Sequence, residues 1–159
     1  MKNKFFFIII LIGTFANFAF AENYRFETKE IEIINNDNKI IAIDGTAYSK
    51  NNDIVIDAKK FEYLNDQDLL KAFKGSALIK SKNLKIKFNE IELNNKNFII
   101  TISGDVTIID TKKDLIINSN LITYNRKSEI IESPVKSKLI DDLKNIFETE
   151  TFVYNLNDN

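Results

Sequence analysis

The stretch KAFKGSALIK (Lys71–Lys80) sets a glycine, Gly75, inside a run that otherwise reads as a β-strand. Beyond residue 21 only two other glycines occur, Gly45 and Gly104, at spacings of 30 and 29 residues from Gly75, and the sole proline, Pro134, stands 30 residues further on. Apolar columns accompany these breakers. Ile43, Phe73 and Ile102 lie two positions before each glycine, and Ala47, Ala77 and Val106 two positions after. Further on come Ile54, Leu84 and Leu115, each followed two residues later by Ile56, Ile86 and Ile117.

A second anchor repeats in step with the first. IEIIN (Ile31–Asn35), FEYLN (Phe61–Asn65), IELNN (Ile91–Asn95), ITYNR (Ile122–Arg126) and FVYNL (Phe152–Leu156) recur at intervals of 30, 30, 31 and 30 residues. Apolar residues two apart mark a half-buried strand, and the Asn, Asp, Lys and Ser that follow supply turns. One unit therefore reads strand, turn, strand, Gly, strand, turn, strand. A lone glycine within a strand permits a kink or a close backbone approach, and a proline at the equivalent place suits a distorted or edge position. Breakers at equal steps predict a sheet that bends at the same place in every unit.

A unit of this length exceeds the hexapeptide and nonapeptide coils of β-helices. It suits an all-β sandwich or taco-shaped sheet stacked along one axis. The inner face is expected to be lined by Ile43, Ile54, Ile56, Phe61 and Tyr63 in one layer, and by Phe73, Leu84, Ile86, Ile91 and Leu93 in the next. Ile102, Val106, Leu115 and Ile117 form the third, with Leu121 or Ile122. KLIDDLKNIF (Lys138–Phe147) has Leu139, Leu143, Ile146 and Phe147 at helical spacing between strand-like flanks, and reads equally as helix or irregular strand.

The first 21 residues stand apart. Lys2 and Lys4 precede the uncharged FFFIIILIGTFANF, and Ala19-Phe20-Ala21 follows, the plan of a secretory signal peptide cut after Ala21. An uncleaved membrane anchor is the alternative, since Phe5 to Ala21 is near the shortest helix that spans a bilayer. Residues 22–159 then form one domain, exported to the periplasm. Its net charge shifts from −1 to −3 once Lys2 and Lys4 are lost, without a basic cluster, which argues against nucleic acid as a partner. The chain has no Cys and no His, so it offers neither a disulfide framework nor the commonest general base and zinc ligand.

Asp57, Glu62 and Glu92 are the carboxylates an enzyme of this architecture would need. Alternation with Phe61, Tyr63, Ile91 and Leu93 turns the two glutamates toward solvent. No catalysis, cofactor or metal site is expected. A structural or adhesive β-repeat protein with a dry core is the competing non-enzymatic class.

DAKKFEYLND (Asp57–Asp66), its echoes KFNEIELNNK (Lys87–Lys96) and NSNLITYNRK (Asn118–Lys127), the leader and the Gly-x-Ala/Val breaker together resemble the OstA-like, or LptA-type, domain family over about Tyr24 to Tyr154. The resemblance implies an OstA-like β-jellyroll whose apolar interior holds the acyl chains of lipopolysaccharide. It also implies end-to-end strand pairing with LptC-like inner-membrane and LptD-like outer-membrane domains, or with further copies of the chain. Phe26, Ile31 and Ile33 at the first strand, and Phe152 and Tyr154 at the last, would then be the partner-facing edges. The chain is poorer in glycine than the family and lacks the barrel that follows in LptD. A free-standing bridge, an anchored LptC-like protein and an LptD-type amino-terminal domain all remain open.

Overall fold

The computed structural model describes residues 17–20, 23–34 and 38–157. Apart from residues 17–20, the segment read as a leader lies outside them. Twelve strands among the described residues make one antiparallel sheet. Seven long strands follow one another as a meander after a short first one: β1 (Asn17–Phe20), β2 (Tyr24–Ile34), β3 (Lys39–Ser49), β4 (Ile54–Leu64), β5 (Leu69–Ile79), β6 (Leu84–Asn94), β7 (Ile99–Asp110) and β8 (Leu115–Asn125). Four short strands finish it: β9 (Ile130–Ser133), β10 (Ser137–Ile140), β11 (Ile146–Thr149) and β12 (Phe152–Asn155).

Each long strand is creased at its middle. In β4 the buried residues are Ile54, Ile56 and Ala58, then Phe61 and Tyr63; in β6 they are Leu84, Ile86 and Phe88, then Ile91 and Leu93. The period of two slips by one residue at the crease, as an inserted bulge residue would make it. On the alternate strands the crease falls at Asp44-Gly45, Lys74-Gly75 and Gly104-Asp105, where Asp44, Lys74, Gly104 and Asp105 take positive φ. Past Pro134 the crease becomes a break. β8 pairs through its second half with β9 and through its first half with β10, so the two halves part company and end as β12 and β11.

The crease folds the sheet into two walls that face one another. The first contains residues 24–28, 45–49, 54–58, 75–79, 84–88, 106–110, 115–119, 137–140 and 146–149. The second contains 30–34, 39–43, 60–64, 69–73, 90–94, 99–103, 121–125, 130–133 and 152–155. The rings of Tyr24 and Tyr63 meet across the gap at 5.4 Å between centroids, and those of Phe26 and Phe61 at 5.8 Å, both edge-on.

Glycine is used where one wall crosses the crease against its neighbour. A Cβ on Gly45 would lie 2.6 Å from Thr28 Cα, and one on Gly75 would lie 2.9 Å from both Cα and Cβ of Ala58. The turns do without glycine. Asn52, Asn83, Asp114 and Lys144 on one rim, and Asp68, Phe98 and Glu129 on the other, carry the left-handed conformations instead. Asn and Asp tolerate that region well, and the Asn and Asp side chains of these loops bond to nearby backbone amides, as Asn94 Oδ1 does to those of Lys96 and Asn97.

The open question over 138–147 is resolved as a hairpin. β10 and β11 pair with Leu139 opposite Phe147 and Ile140 opposite Ile146. The helical spacing of those residues arises from two strands whose inward and outward positions straddle a five-residue connection.

Candidate functional site

The space between the walls is an apolar trough that runs across the strands. In the first wall Phe26, Ala47, Ile56, Ala77, Ile86, Ile108, Ile117, Leu139 and Phe147 are cross-strand neighbours in one unbroken row. In the second, Ile33, Ile40, Tyr63, Leu70, Leu93, Ile100, Tyr124, Ile131 and Tyr154 do the same. Nine strands at the spacing of a β-sheet make each row about 38 Å long. Ile31, Phe61, Ile91, Ile122 and Phe152, the second sequence anchor, all take inward positions of the adjoining row. The 30-residue step is thus two strands and two turns.

Both rows end in solvent. Phe26, Ile56 and Ile117 are fully buried, yet Phe147 at the far end of their row is 56% exposed. In the other row Tyr63, Leu70 and Leu93 are fully buried, while Ile33 at the near end is 52% exposed. Each is the last inward-facing side chain of its row, and among the described residues no further strand covers it. The trough is therefore apolar along its length and uncapped at one corner of each end.

The expected lining falls mostly into this interior. Ile54, Ile56, Phe61, Tyr63, Leu84, Ile86, Ile91, Leu93, Ile102, Val106 and Ile117 are buried in the apolar cluster between the walls, and Leu115 packs against it half-buried. Of the two alternatives at the third layer, Ile122 is buried and Leu121 is not.

Ile43 and Phe73 are exceptions. They are half-buried on the outer face, where both pair with Lys60, whose ammonium lies 5.6 Å from the Phe73 ring centroid. Alignment on the glycines put them level with Ile102. The crease of β7 is one residue longer, however, with its glycine one position nearer the second wall, and the true equivalents of Ile102 are Ala42 and Ala72. Lys71 flanking Ala72 carried the correct alternation.

The edge residues also divide. Ile31 and Ile33 lie in the half of β2 that pairs with β3 alone, and Phe152 and Tyr154 in β12, which pairs with β9 alone. Phe26 does not lie on an open edge. Its stretch of β2 is paired on one side with β3 and on the other with β1, and its side chain is fully buried in the trough. The structure thus includes residues 17–20 in the sheet.

The carboxylates considered for chemistry stand on the outer faces. Glu62 is held by Lys60 and by Lys39 at 3.1 Å, Glu92 by Lys71 at 2.7 Å, and Asp57 accepts the Thr46 hydroxyl at 2.5 Å. The hydrogen bonds of Lys60 and Lys39 keep the Glu62 carboxyl below its usual range, and that of Glu92 raises the Lys71 ammonium. On the convex crease Asp44 bridges Lys59 and Lys29, at 3.0 and 3.1 Å, and its carboxyl is likewise lowered by those bonds.

Sequence reasoning did not find the polar residues that join the free rims of the two walls. Asn23 Nδ2 donates to Asp68 Oδ2 at 2.8 Å, and Asn95 Nδ2 donates both to Tyr24 Oη at 3.1 Å and to Asp68 Oδ1 at 3.0 Å. Tyr63 donates to Asp68 at 2.9 Å, and Arg126 to Asn95 Oδ1 at 2.7 Å. Further along, Lys82 pairs with Glu129 across the rims, and Tyr154 donates to the buried Asp110 at 2.8 Å. Burial pushes the Tyr24 phenol up to about 12, and burial with the Asp110 bond raises that of Tyr154 further. These residues looked like turn material because they sit beside Asn and Asp that make ordinary turns.

Comparison with family models finds no match, and no curated protein matches the chain.

Proposed function

We propose that this protein binds an amphiphile, with its acyl chains between the two walls, and passes it along the trough without chemistry, as a periplasmic lipopolysaccharide-transport domain of the OstA-like type would. The observation that carries this reading is the pair of apolar rows that run the full width of the sheet and emerge exposed at Ile33 and Phe147. A closed domain would cap such residues. Exposed apolar positions continuous with an interior mark a place where another apolar surface is met. Among the described residues, the backbone edges left open at the second half of β2 and at β11 and β12 suit end-to-end pairing with another sheet, which would join one trough to the next. The sequence resemblance points the same way.

A dry structural β-repeat is the second reading. It draws on the filled interior, where Phe61, Tyr63, Leu84 and Leu93 are fully buried. A photo-crosslinking residue at Ile86, with lipopolysaccharide detected by immunoblotting after expression in a Gram-negative host, separates the two. Ile86 is buried between the walls and Lys85 is exposed on the outer face. An adduct at position 86 and none at 85 supports carriage of lipid. A folded, exported protein with no adduct at either position gives the dry repeat first place.

A further inference from the structure

We infer that the side-chain network centred on Asn95 is a latch that lets the rims part as a unit while the crease stays folded. Asn95 lies in the rim loop after β6, and its side chain joins three partners. It spans the gap to Tyr24, shares Asp68 with Asn23 of the opposite wall, and accepts from Arg126 on its own side. The two cross-wall bonds, Asn23 to Asp68 and Asn95 to Tyr24, join the walls along this part of the rim, beside the edge-on ring contacts of Tyr24 with Tyr63 and Phe26 with Phe61.

The same locality is incompletely satisfied when shut. Arg126 Nε and Asn65 Oδ1 are buried without a hydrogen-bond partner. Unpaired buried polar groups are costly, and both would gain water if the rims separated. That offsets part of the cost of breaking the cross-wall bonds, so this stretch opens more readily than the crease, where glycine brings backbone onto backbone. A headgroup too large to thread between closed rims needs such an opening. That use of the latch rests on the lipid reading above, but the latch itself does not.

The chain has no cysteine, so single reporters are clean. Leu93→Cys places a thiol in the row nearest the rims, and Ile102→Cys one beside the crease; both positions are fully buried. Thiol labelling under native conditions is compared with and without Asn95→Ala. The expected result is labelling on the order of tenfold faster at position 93, the effect of losing a net hydrogen bond or two, with position 102 unchanged. Equal acceleration at both positions would make the network a contributor to global stability only, and no acceleration at either would show that it holds nothing; each overturns the latch. Should Asn95→Ala fail to fold, Asn23→Ala removes the single bond to Asp68 and is read the same way. Selective labelling at position 93, together with no lipid adduct at Ile86, would sustain the latch while refuting lipid carriage.

Discussion

Replacing Gly75 by alanine tests the crease directly. In an ordinary strand this change gains about 0.5–1 kcal/mol, because alanine has less backbone freedom to lose. At Gly75 the new methyl would sit 2.9 Å from the Ala58 Cα and Cβ, and closer still to the Asp57 carbonyl oxygen. Comfortable carbon contacts lie at about 3.5–4.0 Å, so β4 and β5 must separate by roughly 1 Å where Ala58 faces Gly75. The atoms in the way are backbone, and no side chain can swing aside. Straining one or two ladder hydrogen bonds costs about 1 kcal/mol each, and overpacking adds about 1–3 kcal/mol. The expected loss is about 3 kcal/mol, a large share of a typical domain's stability. Gly104→Ala provides the comparison. Its Cβ meets the side chain of Asn89, which can move, and the positive φ there costs about 1–2 kcal/mol. Urea denaturation of both variants beside the parent should rank them parent, Gly104→Ala, Gly75→Ala, with similar slopes. A Gly75→Ala protein as stable as the parent would refute the close approach, and with it the reason for the 30-residue spacing of glycine.

Ile86→Asp should cost about 5 kcal/mol or more, since a carboxylate would be buried unpaired between the walls; near-parental circular dichroism and melting would place residue 86 outside the interior. For Tyr24 the folded pKa of about 12 exceeds the ordinary 10, so the fold favours the neutral phenol. The resulting stability is fully present below pH 10 and is lost as pH rises through 12. Between pH 9 and 11 the parent should lose about 1.3 kcal/mol more than Tyr24→Phe in paired denaturation curves, and parallel losses would show that the phenol is not desolvated. Phe98 holds a positive φ with its ring half exposed, so Phe98→Gly should stabilise by up to about 1 kcal/mol, and a lower melting temperature would mean that its contact with Arg126 outweighs the strain.

Much of the architecture was legible in the chain because β-structure writes its period into the order of residues. The steps between Ile31, Phe61, Ile91, Ile122 and Phe152 determined that alternate strands are equivalent and that one inward row joins them. The spacing of Gly45, Gly75 and Gly104 marked where the sheet folds: at Gly45 and Gly75 only a residue without a Cβ tolerates the approach of the neighbouring backbone, and at Gly104 the positive φ favours glycine. The face taken by Ile43 and Phe73 was decided by the tertiary structure. A single extra residue in the crease of β7 shifts its glycine against the inward row, and in KIIAI (Lys39–Ile43) every position after the first is apolar, so nothing local records which side is in. The fate of residues 138–147 likewise depended on β8 offering an edge to β10. The rims were the least legible part. Asn23, Asp68, Asn95 and Arg126 are far apart in the chain and chemically ordinary for turns, and they become a network only when the crease brings two walls together. Short-range periodicity sets strands and faces; which polar side chains meet depends on how the sheet closes.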